Sequence, residues 1–498
     1  MIGRINRIRT AFYVSVIVLA GLIAVLAWPN KRAFSKKPLM LYCAAGLQEP
    51  VLAATAEYKK LYGVEIQVSF AGSETVLQQA ETAKVGDLYL PADERCLDEA
   101  RERKLIDEVL PLATMRPVLV VQKGNPRKIK GLDDVLNGDI TISQANPDAA
   151  AIGKVTRAVL QRTGQWDALQ KHRKVDKETV NAAAVAVAAK SVDAAIVWDA
   201  TAFQMSDRLT AIELPEFTKI RSSVSVAILK SSERPTDALR FARFLAARDK
   251  GLVYFKRDGF APVDGDKWED EPQVHLYAGA MLRAAIDPTI DEFERREGVQ
   301  AIRHYNGCGI LISEMQADPF RPDAYFACDV SFMDSVNRLF ADPQVISSNQ
   351  VVILVARQNP KQIKSLADLG RPRMRVGLAR EQQSALGDLT RDLLKRAGCY
   401  DEVRKNVVVE NATGDGLVNQ FVEDSLDAVV VYRSNAEGAR DRLDIVHLSS
   451  SAKATQPLAI AKQSEHKHLM GRLCDALKSP ASKKRFEDLG FIWVFKAE

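Results

Sequence analysis

Short runs of apolar residues alternate along the chain with stretches in which apolar residues recur every three or four positions. Leu39–Ala45 is such a run, and Val51, Ala54 and Tyr58 follow it at helical spacing. Runs of the first kind are typical of buried strands, and the second pattern is that of an amphipathic helix. Because the two alternate along most of the chain, the sequence predicts α/β lobes in which a parallel sheet carries helices on both faces.

The whole pattern occurs twice. Asn125–Asp134 returns as Asn359–Asp368, and the offset of about 235 residues is far longer than the period of a solenoid repeat. A period of this length indicates two copies of one complete domain. Within each copy an Asn-Pro pair separates two βα series. We therefore expect two doubly wound lobes, joined by crossing strands, around a cleft.

The order of these segments sets the domain boundaries. A leader covers residues 1–37, the first copy (module 1) covers residues 38–263, and the second copy (module 2) covers residues 274–498. The acidic, turn-rich stretch 264–273 lies between the copies and is interpreted as a linker. We expect the two modules to fold independently on either side of it.

The leader contains Ala11–Trp28, an uncharged apolar run that is about long enough to cross a bilayer as a helix. Arg4, Arg7 and Arg9 precede it, as in the positive region of an export signal. A cleaved signal peptide is the alternative, because Val25–Ala27 could serve as a small-residue cleavage site. The run is longer than the apolar part of most signal peptides, which favours an uncleaved anchor that tethers the body of the protein to a membrane.

Composition narrows the function classes. The chain is 47% hydrophobic and 27% charged, and its net charge of +5 is scattered, which gives little support to nucleic-acid binding. The chain contains no Gly-rich phosphate loop, no Ser-His-Asp order and no His-Glu-x-x-His motif, so neither catalysis nor a cofactor is predicted. The six cysteines include no CxxC pair, which excludes a zinc ribbon. The sequence leaves undecided whether two of the cysteines in module 2 form a disulfide.

Several motifs resemble those of type 2 periplasmic solute-binding proteins, most closely the molybdate- and tungstate-binding group. In module 1 these motifs are Ala44–Leu47, Phe70–Ser73, Asp87–Asp93, Asp193–Trp198 and Phe255–Phe260. The resemblance covers nearly all of residues 39–263 and again residues 274–496, with the motifs in the same order. The resemblance implies a bacterial periplasmic protein that closes two lobes around a small oxyanion and delivers it to the permease and ATPase of an ABC importer.

In that family, hydroxyls and backbone N–H groups at helix starts hold the oxyanion without a charged side chain, because unpaired amides and the helix dipole favour an anion. The resemblance carries this ligand-binding role to five positions in each module. These positions are Gly46, Ser73, Ile152, Val180 and Trp198 in module 1, and Met281, Cys308, Leu386, Gly414 and Tyr432 in module 2.

Some of these positions depart from the family pattern. The family has serine where this chain has Gly46 and Met281, and a second serine where module 2 has Cys308. The tyrosine of the family's cleft is Trp198 in module 1 and is kept as Tyr432 in module 2. Backbone donors do not depend on the side chain, so part of an anion site persists, and each missing hydroxyl contact costs about 0.5 to 1.5 kcal/mol.

Two residues allow other interpretations. Ser73 stands at a strand-to-helix turn, where it suits N-capping as well as ligand binding. Cys308 could be an inert replacement for serine, a soft-metal ligand together with Met281 and Cys328, or a nucleophile. The alternative functions are therefore a soft-metal-binding or sensory ectodomain and, with less support, a cysteine-dependent enzyme on the same fold.

Overall fold

The structure is a computed structural model, and it describes residues 37–317, 322–423, 426–437, 439–448 and 453–496. The apolar run Ala11–Trp28, which we expect to span the membrane, lies outside the described residues. None of the described helices combines the length and the apolar character that a membrane crossing needs.

Module 1 alternates strands and helices, as the apolar pattern predicts. Its strands are β1 Leu39–Ala44, β2 Ile66–Ala71, β3 Leu88–Leu90, β4 Ile106–Met115, β5 Pro117–Gln122, β6 Ile142–Ala145, β7 Arg173–Lys177, β8 Ala194–Trp198, β9 Leu209–Ile212, β10 Ser222–Leu229 and β11 Ala261–Pro262. Its helices are α1 Gln48–Tyr62, α2 Ser73–Ala83, α3 Glu94–Glu102, α4 Leu132–Asn137, α5 Ala151–Arg162, α6 Trp166–His172, α7 Val180–Ala188, α8 Asp199–Gln204, α9 Pro235–Leu245 and α10 Gly251–Arg257. Its 3-10 turns are Ala45–Leu47 and Pro215–Phe217.

Module 2 repeats this order. Its strands are β12 Gln273–Gly279, β13 Gln300–Asn306, β14 Ala324–Phe326, β15 Phe340–Ala356, β16 Val376–Ala379, β17 Val407–Asn411, β18 Ala428–Tyr432, β19 Leu443–His447, β20 Lys453–Ala461 and β21 Ile492–Trp493. Its helices are α11 Arg283–Glu297, α12 Cys308–Ala317, α13 Val330–Asp334, α14 Ala385–Arg396, α15 Tyr400–Lys405, α16 Gly414–Glu423, α17 Arg433–Glu437, α18 Lys467–Leu477 and α19 Pro480–Asp488. Its 3-10 turns are Ala280–Leu282 and Leu366–Gly370.

The two lobes of module 1 are built on separate sheets. The first lobe has the strand order β11-β4-β10-β3-β1-β2, and the second lobe has the order β7-β6-β8-β5-β9. β1 pairs in parallel with β2 and β3, but β10 pairs antiparallel with β3, and β5 pairs antiparallel with β8. The prediction of parallel sheets is therefore wrong in part. Strands that cross from one lobe enter the other sheet from the opposite side, so they run against its parallel strands.

The chain crosses from the first lobe to the second in a different way in each module. In module 1, Arg116 separates β4 from β5, and β4 belongs to the first lobe while β5 belongs to the second. In module 2 the crossing lies within one strand, β15, whose 17 residues pair with β20 in the first lobe and with β18 and β19 in the second. The apolar run Val351–Ala356 is therefore only the last part of a longer strand that begins at Phe340.

The repeated Asn-Pro break has the same local chemistry in both modules. The Asn125 side-chain amide donates to the carbonyl of Ile129 at 2.7 Å, and its Oδ1 accepts the Ile129 N–H at 2.9 Å. Asn359 makes the same two bonds to Ile363, at 2.8 and 3.0 Å. The asparagine thus closes the turn with its own side chain, which explains why this stretch is so similar in the two copies.

The first lobes of the two modules dock through a buried carboxylate. Arg243 of module 1 and Arg472 of module 2 both bind Glu297, with N–O distances of 3.0 and 2.6 Å, and the Glu297 side chain is 1% exposed. Burial alone would raise the pKa of Glu297, but Arg472 and Arg243 outweigh burial and hold that pKa below its ordinary value. The carboxylate is therefore charged and paired across the interface between the modules.

The segment interpreted as a linker is part of this interface. Asp266 accepts the backbone N–H groups of His468 and Leu469 at the start of α18, at 2.8 and 2.9 Å. Trp268 packs edge-on against Phe244 of module 1, with 5.1 Å between ring centroids. The segment thus contacts both modules along its length. Independent folding of each module stays a prediction.

Candidate functional site

Three helices of module 1 begin at one small cavity between its lobes: α2 of the first lobe, and α5 and α7 of the second. The lining residues are Ala44, Ala45, Gly46, Ala71, Gly72, Ser73, Ala92, Ala150, Ala151, Ile152, Thr179, Val180 and Trp198. None of these residues, within the part of the chain that the structure describes, carries a charge. The free volume at its centre is about 10 Å³, close to what one water molecule needs, so the cleft is closed.

All five positions predicted for module 1 line this cavity. Gly46 lies in the 3-10 turn after β1, Ser73 begins α2, Ile152 is the second residue of α5, Val180 begins α7, and Trp198 ends β8. The first N–H groups of a helix have no partner within the helix. The arrangement therefore offers several backbone donors, from three directions, to one point between the lobes.

Ser73 supplies one hydroxyl to this cavity, and Thr179 supplies another, which accepts the N–H of Ala182. The N-cap of α2 is Gly72, and the Ser73 Oγ accepts the N–H of Ala92 at 3.2 Å. The Tyr89 hydroxyl donates to the Ser73 carbonyl at 3.1 Å, which fixes the residue from the other side. The interpretation of Ser73 as an N-cap is therefore wrong. Because its oxygen already accepts from Ala92, the Ser73 hydroxyl has its own proton left to donate to a ligand.

The glycine at position 46 is explained by its neighbours. A Cβ on Gly46 would lie 2.9 Å from Cγ1 of Val180 and 3.6 Å from Cδ1 of Trp198. The Trp198 side chain is fully buried. The Val180 side chain would therefore have to shift to admit a Cβ at position 46, while Trp198 would lie at ordinary contact distance from it.

Backbone and amide groups join the two lobes directly. The Glu74 N–H donates to the Ala149 carbonyl at 3.1 Å, and the Asn181 side-chain amide donates to the Ala45 carbonyl at 2.8 Å. A Cβ on Gly72 would overlap the Ala149 carbonyl oxygen. Glycine at position 72 is therefore what lets the first lobe approach the second this closely.

An ion-pair cluster also crosses the cleft of module 1. Lys154 of α5 lies 2.7 Å from Glu74 and 2.5 Å from Glu99, both in the first lobe. Burial alone would lower the pKa of Lys154, but its hydrogen bonds to Glu74 and Glu99 outweigh burial and raise that pKa. No motif in the sequence marks this cluster, because its members lie far apart in the chain and only the closed fold brings them together.

The corresponding position in module 2 has sulfur in place of the hydroxyl. Cys308, the first residue of α12, forms a disulfide with Cys328, and their Cα atoms are 6.3 Å apart. Cys308 Sγ accepts the N–H of Cys328 at 3.0 Å, just as Ser73 Oγ accepts that of Ala92. A disulfide sulfur is not a thiolate, so the interpretations of Cys308 as a metal ligand and as a nucleophile are wrong for this structure. The described residues also contain no group of three or more His, Cys, Asp or Glu arranged to hold a metal.

The other predicted positions of module 2 are buried at equivalent points of the fold. Met281 lies in the 3-10 turn after β12, against which α16 packs, and Gly414 begins α16. Leu386 is the second residue of α14, and Tyr432 ends β18. The Tyr432 hydroxyl is buried without a hydrogen-bond partner among the described residues, and burial raises its pKa.

The cleft of module 2 is also closed, but with different contacts. The Gly309 N–H donates to the Gln383 carbonyl at 3.2 Å, matching the bond from Glu74 to Ala149 in module 1. The Lys154 cluster has no counterpart, because Glu74 is replaced by Gly309 and Lys154 by Asp388. The two modules therefore share a fold but differ at the floor of the cleft, where Ser73 is replaced by Cys308, and in the contacts between lobes that keep the cleft closed.

Two segments of the chain match one protein family. The family is that of the bacterial extracellular solute-binding proteins, and its sequence pattern matches residues 39–261 and again residues 274–492. The chain belongs to this family. It is accordingly a solute-binding component of transport and not an enzyme, and residues 39–261 and 274–492 are two copies of the family's α/β fold.

Each of the similar proteins aligns with about half of this solute-binding protein, which is the length of one module. The molybdate-binding protein ModA of Escherichia coli K12 is 26% identical over 251 residues, which are 49% of this chain and 96% of that protein. ModA of Mycobacterium tuberculosis H37Rv is 24% identical over 255 residues, 50% of this chain and 95% of that protein. The solved periplasmic molybdate-binding protein of Azotobacter vinelandii is 19% identical with a TM-score of 0.38, covering 45% of this chain and 98% of its own.

Proposed function

We propose that this solute-binding protein captures a small tetrahedral oxyanion, of the molybdate or tungstate class, in the cleft of module 1 and delivers it to the permease and ATPase of an ABC importer. The observation that carries the proposal is the cavity at which three helices begin and to which Ser73 contributes a hydroxyl. Helix N-termini favour an anion through their unpaired N–H groups and their dipoles.

The chemistry of the lining supports a fully deprotonated ligand. Backbone N–H groups and the Ser73 hydroxyl are donors, and the described lining carries no carboxylate. A protonated oxyanion would bring a donor of its own into a site built from donors, and an unpaired buried donor is costly. Molybdate and tungstate are dianions at neutral pH, and molybdate is the ligand named for the relatives in Escherichia coli and Mycobacterium tuberculosis.

We also propose that Ala11–Trp28 anchors the protein to the bacterial cytoplasmic membrane, with both modules in the periplasm. The apolar length of that segment and the arginines before it support this placement. A tether would keep the cleft close to the permease, so that a ligand released on opening meets its transporter before it diffuses away.

The test is calorimetric titration of the full-length chain with molybdate, tungstate, sulfate and Cu(I) in parallel. We expect saturable binding of molybdate and tungstate, and no binding of Cu(I), because both cysteines at the cleft of module 2 are held in a disulfide. Binding of Cu(I) without binding of either oxyanion would contradict the proposal and favour the soft-metal alternative. Binding of sulfate alone would keep the anion site and change the ligand class.

A further inference from the structure

Three positions around the floor of the cleft differ together between the two modules. Module 1 has Ala44, Ser73 and Ala92, and module 2 has Gly279, Cys308 and Cys328 at the equivalent places. The two cysteines form the disulfide. The glycine at position 279 makes room for this disulfide, because a Cβ there would overlap Cys328 Sγ and would also lie 3.4 Å from Cys308 Sγ. An alanine like that of module 1 would leave the disulfide no room.

The disulfide removes the side-chain donor that module 1 has in Ser73. Cys308 Sγ keeps the acceptor role of the Ser73 oxygen toward the N–H of the following strand end, at 3.0 Å. It has no proton to donate, because its second valence is used by the bond to Cys328. The side chain of Cys308 is fully buried, so the sulfur forms the floor of the cleft rather than a surface feature.

The rest of the module 2 cleft keeps features that could bind an anion. α12, α14 and α16 begin at positions equivalent to those of α2, α5 and α7, and the Tyr432 hydroxyl is buried without a partner among the described residues. The disulfide and its glycine are changes at the position of a predicted ligand contact, and they bear directly on anion binding. This argument rests on the proposed function of module 1.

We propose that the disulfide between Cys308 and Cys328 closes the anion site of module 2, so that the chain carries one oxyanion, in module 1. The three positions act as a unit that decides whether a module of this fold takes an oxyanion. In this arrangement module 1 binds the ligand. The role of module 2 is structural, because its first lobe docks against module 1 through the ion pair between Glu297 and Arg243.

The experiment is equilibrium dialysis of the full-length chain against molybdate, with bound molybdenum measured by mass spectrometry. Two triple variants exchange the floors of the clefts: G279A/C308S/C328A in module 2, and A44G/S73C/A92C in module 1. We expect one molybdate for the wild type, two for the module 2 variant and none for the module 1 variant. A thiol assay under denaturing conditions checks that the module 1 variant gains a disulfide rather than two free thiols.

Each other result has a definite meaning. A wild type that binds two molybdates overturns this inference and leaves the proposed function standing. A wild type that binds none overturns the proposed function, and this inference with it. If the module 2 variant melts cooperatively and still binds one, the disulfide is not what closes the site. If the module 2 variant does not fold, the module 1 variant provides the test. Molybdate binding by a module 1 variant that has formed the new disulfide would contradict the inference.

Discussion

Lys154 of the second lobe lies 2.7 Å from Glu74 of the first lobe, across the closed cleft of module 1. Glu74 is adjacent in sequence to Ser73, whose hydroxyl faces the cavity, so the ion pair and the candidate ligand contact share one helix start. The Glu74 side chain is 7% exposed and that of Lys154 is 21% exposed. The pair is thus shielded enough to favour the closed arrangement of the lobes, and it exists only when they are closed.

Substituting Lys154 by methionine should weaken oxyanion binding to the full-length chain. Loss of the charged hydrogen bond favours the open form, and with allowance for partial exposure of Lys154 we expect about 1 kcal/mol, or about fivefold in Kd. Titration with molybdate measures the change. The matched control is Arg157→Met on the same helix, because Arg157 pairs with Asp148, whose side chain is 77% exposed. An equal loss in both variants would show that the cluster does not hold the cleft shut.

Replacing Ser73 by alanine removes one of the hydroxyl donors that the structure leaves available to a ligand. We expect the free energy of molybdate binding to fall by about 0.5 to 1.5 kcal/mol, which is up to about tenfold in Kd. Ser69→Ala is the control, because Ser69 donates to Gln79 on the exposed surface of the same lobe. Unchanged affinity in Ser73→Ala would assign Ser73 only the structural bond to Ala92.

The docking of the two modules should depend on Glu297 far more than on other acidic residues between them. Glu297→Gln leaves Arg243 and Arg472 without their shared buried anion, and we expect a loss of about 3 kcal/mol in the free energy of unfolding. Glu108→Gln, which breaks a more exposed pair with Arg296, should cost less than about 1 kcal/mol. Urea denaturation measures both, and equal losses would contradict a buried interface centred on Glu297.

The contribution of Glu297 should also depend on pH in one direction. Its folded pKa lies below the ordinary value, so its stabilisation is fully present above the unfolded carboxyl pKa of about 4.3 and is lost as the pH falls through the lower folded pKa. The difference in unfolding free energy between wild type and Glu297→Gln should therefore be constant from pH 7 to 5 and shrink below pH 4. A difference that is unchanged down to pH 3 would rule out this linkage.

The apolar pattern along the chain made most of the strands and helices predictable. The positions around the module 1 cleft came from the resemblance to the solute-binding family, whose motifs lie at the turns that contain Gly46 and Ser73. β4 was not predicted, because Asp107, Glu108 and Pro111 interrupt its apolar pattern, and its pairing with β10 is irregular near Val224.

The disulfide and the Lys154 cluster depend on long-range contacts. Cys308 and Cys328 have no cysteine counterparts in module 1, so the repeat leaves their pairing open, and only the side-by-side placement of two strand ends decides it. Lys154, Glu74 and Glu99 come from different lobes and have ordinary charged neighbours in sequence. Spacing along the chain carries no information about such contacts.

The most direct test of the account is anomalous diffraction at the molybdenum edge, from crystals of the full-length protein grown with molybdate. The account predicts one strong peak per chain in the cleft of module 1, within hydrogen-bond distance of the Ser73 hydroxyl and of the N–H groups at the start of α5 and α7. It predicts no peak beside the disulfide of Cys308. A peak in module 2, or bound molybdate away from the Ser73 cavity, would contradict it.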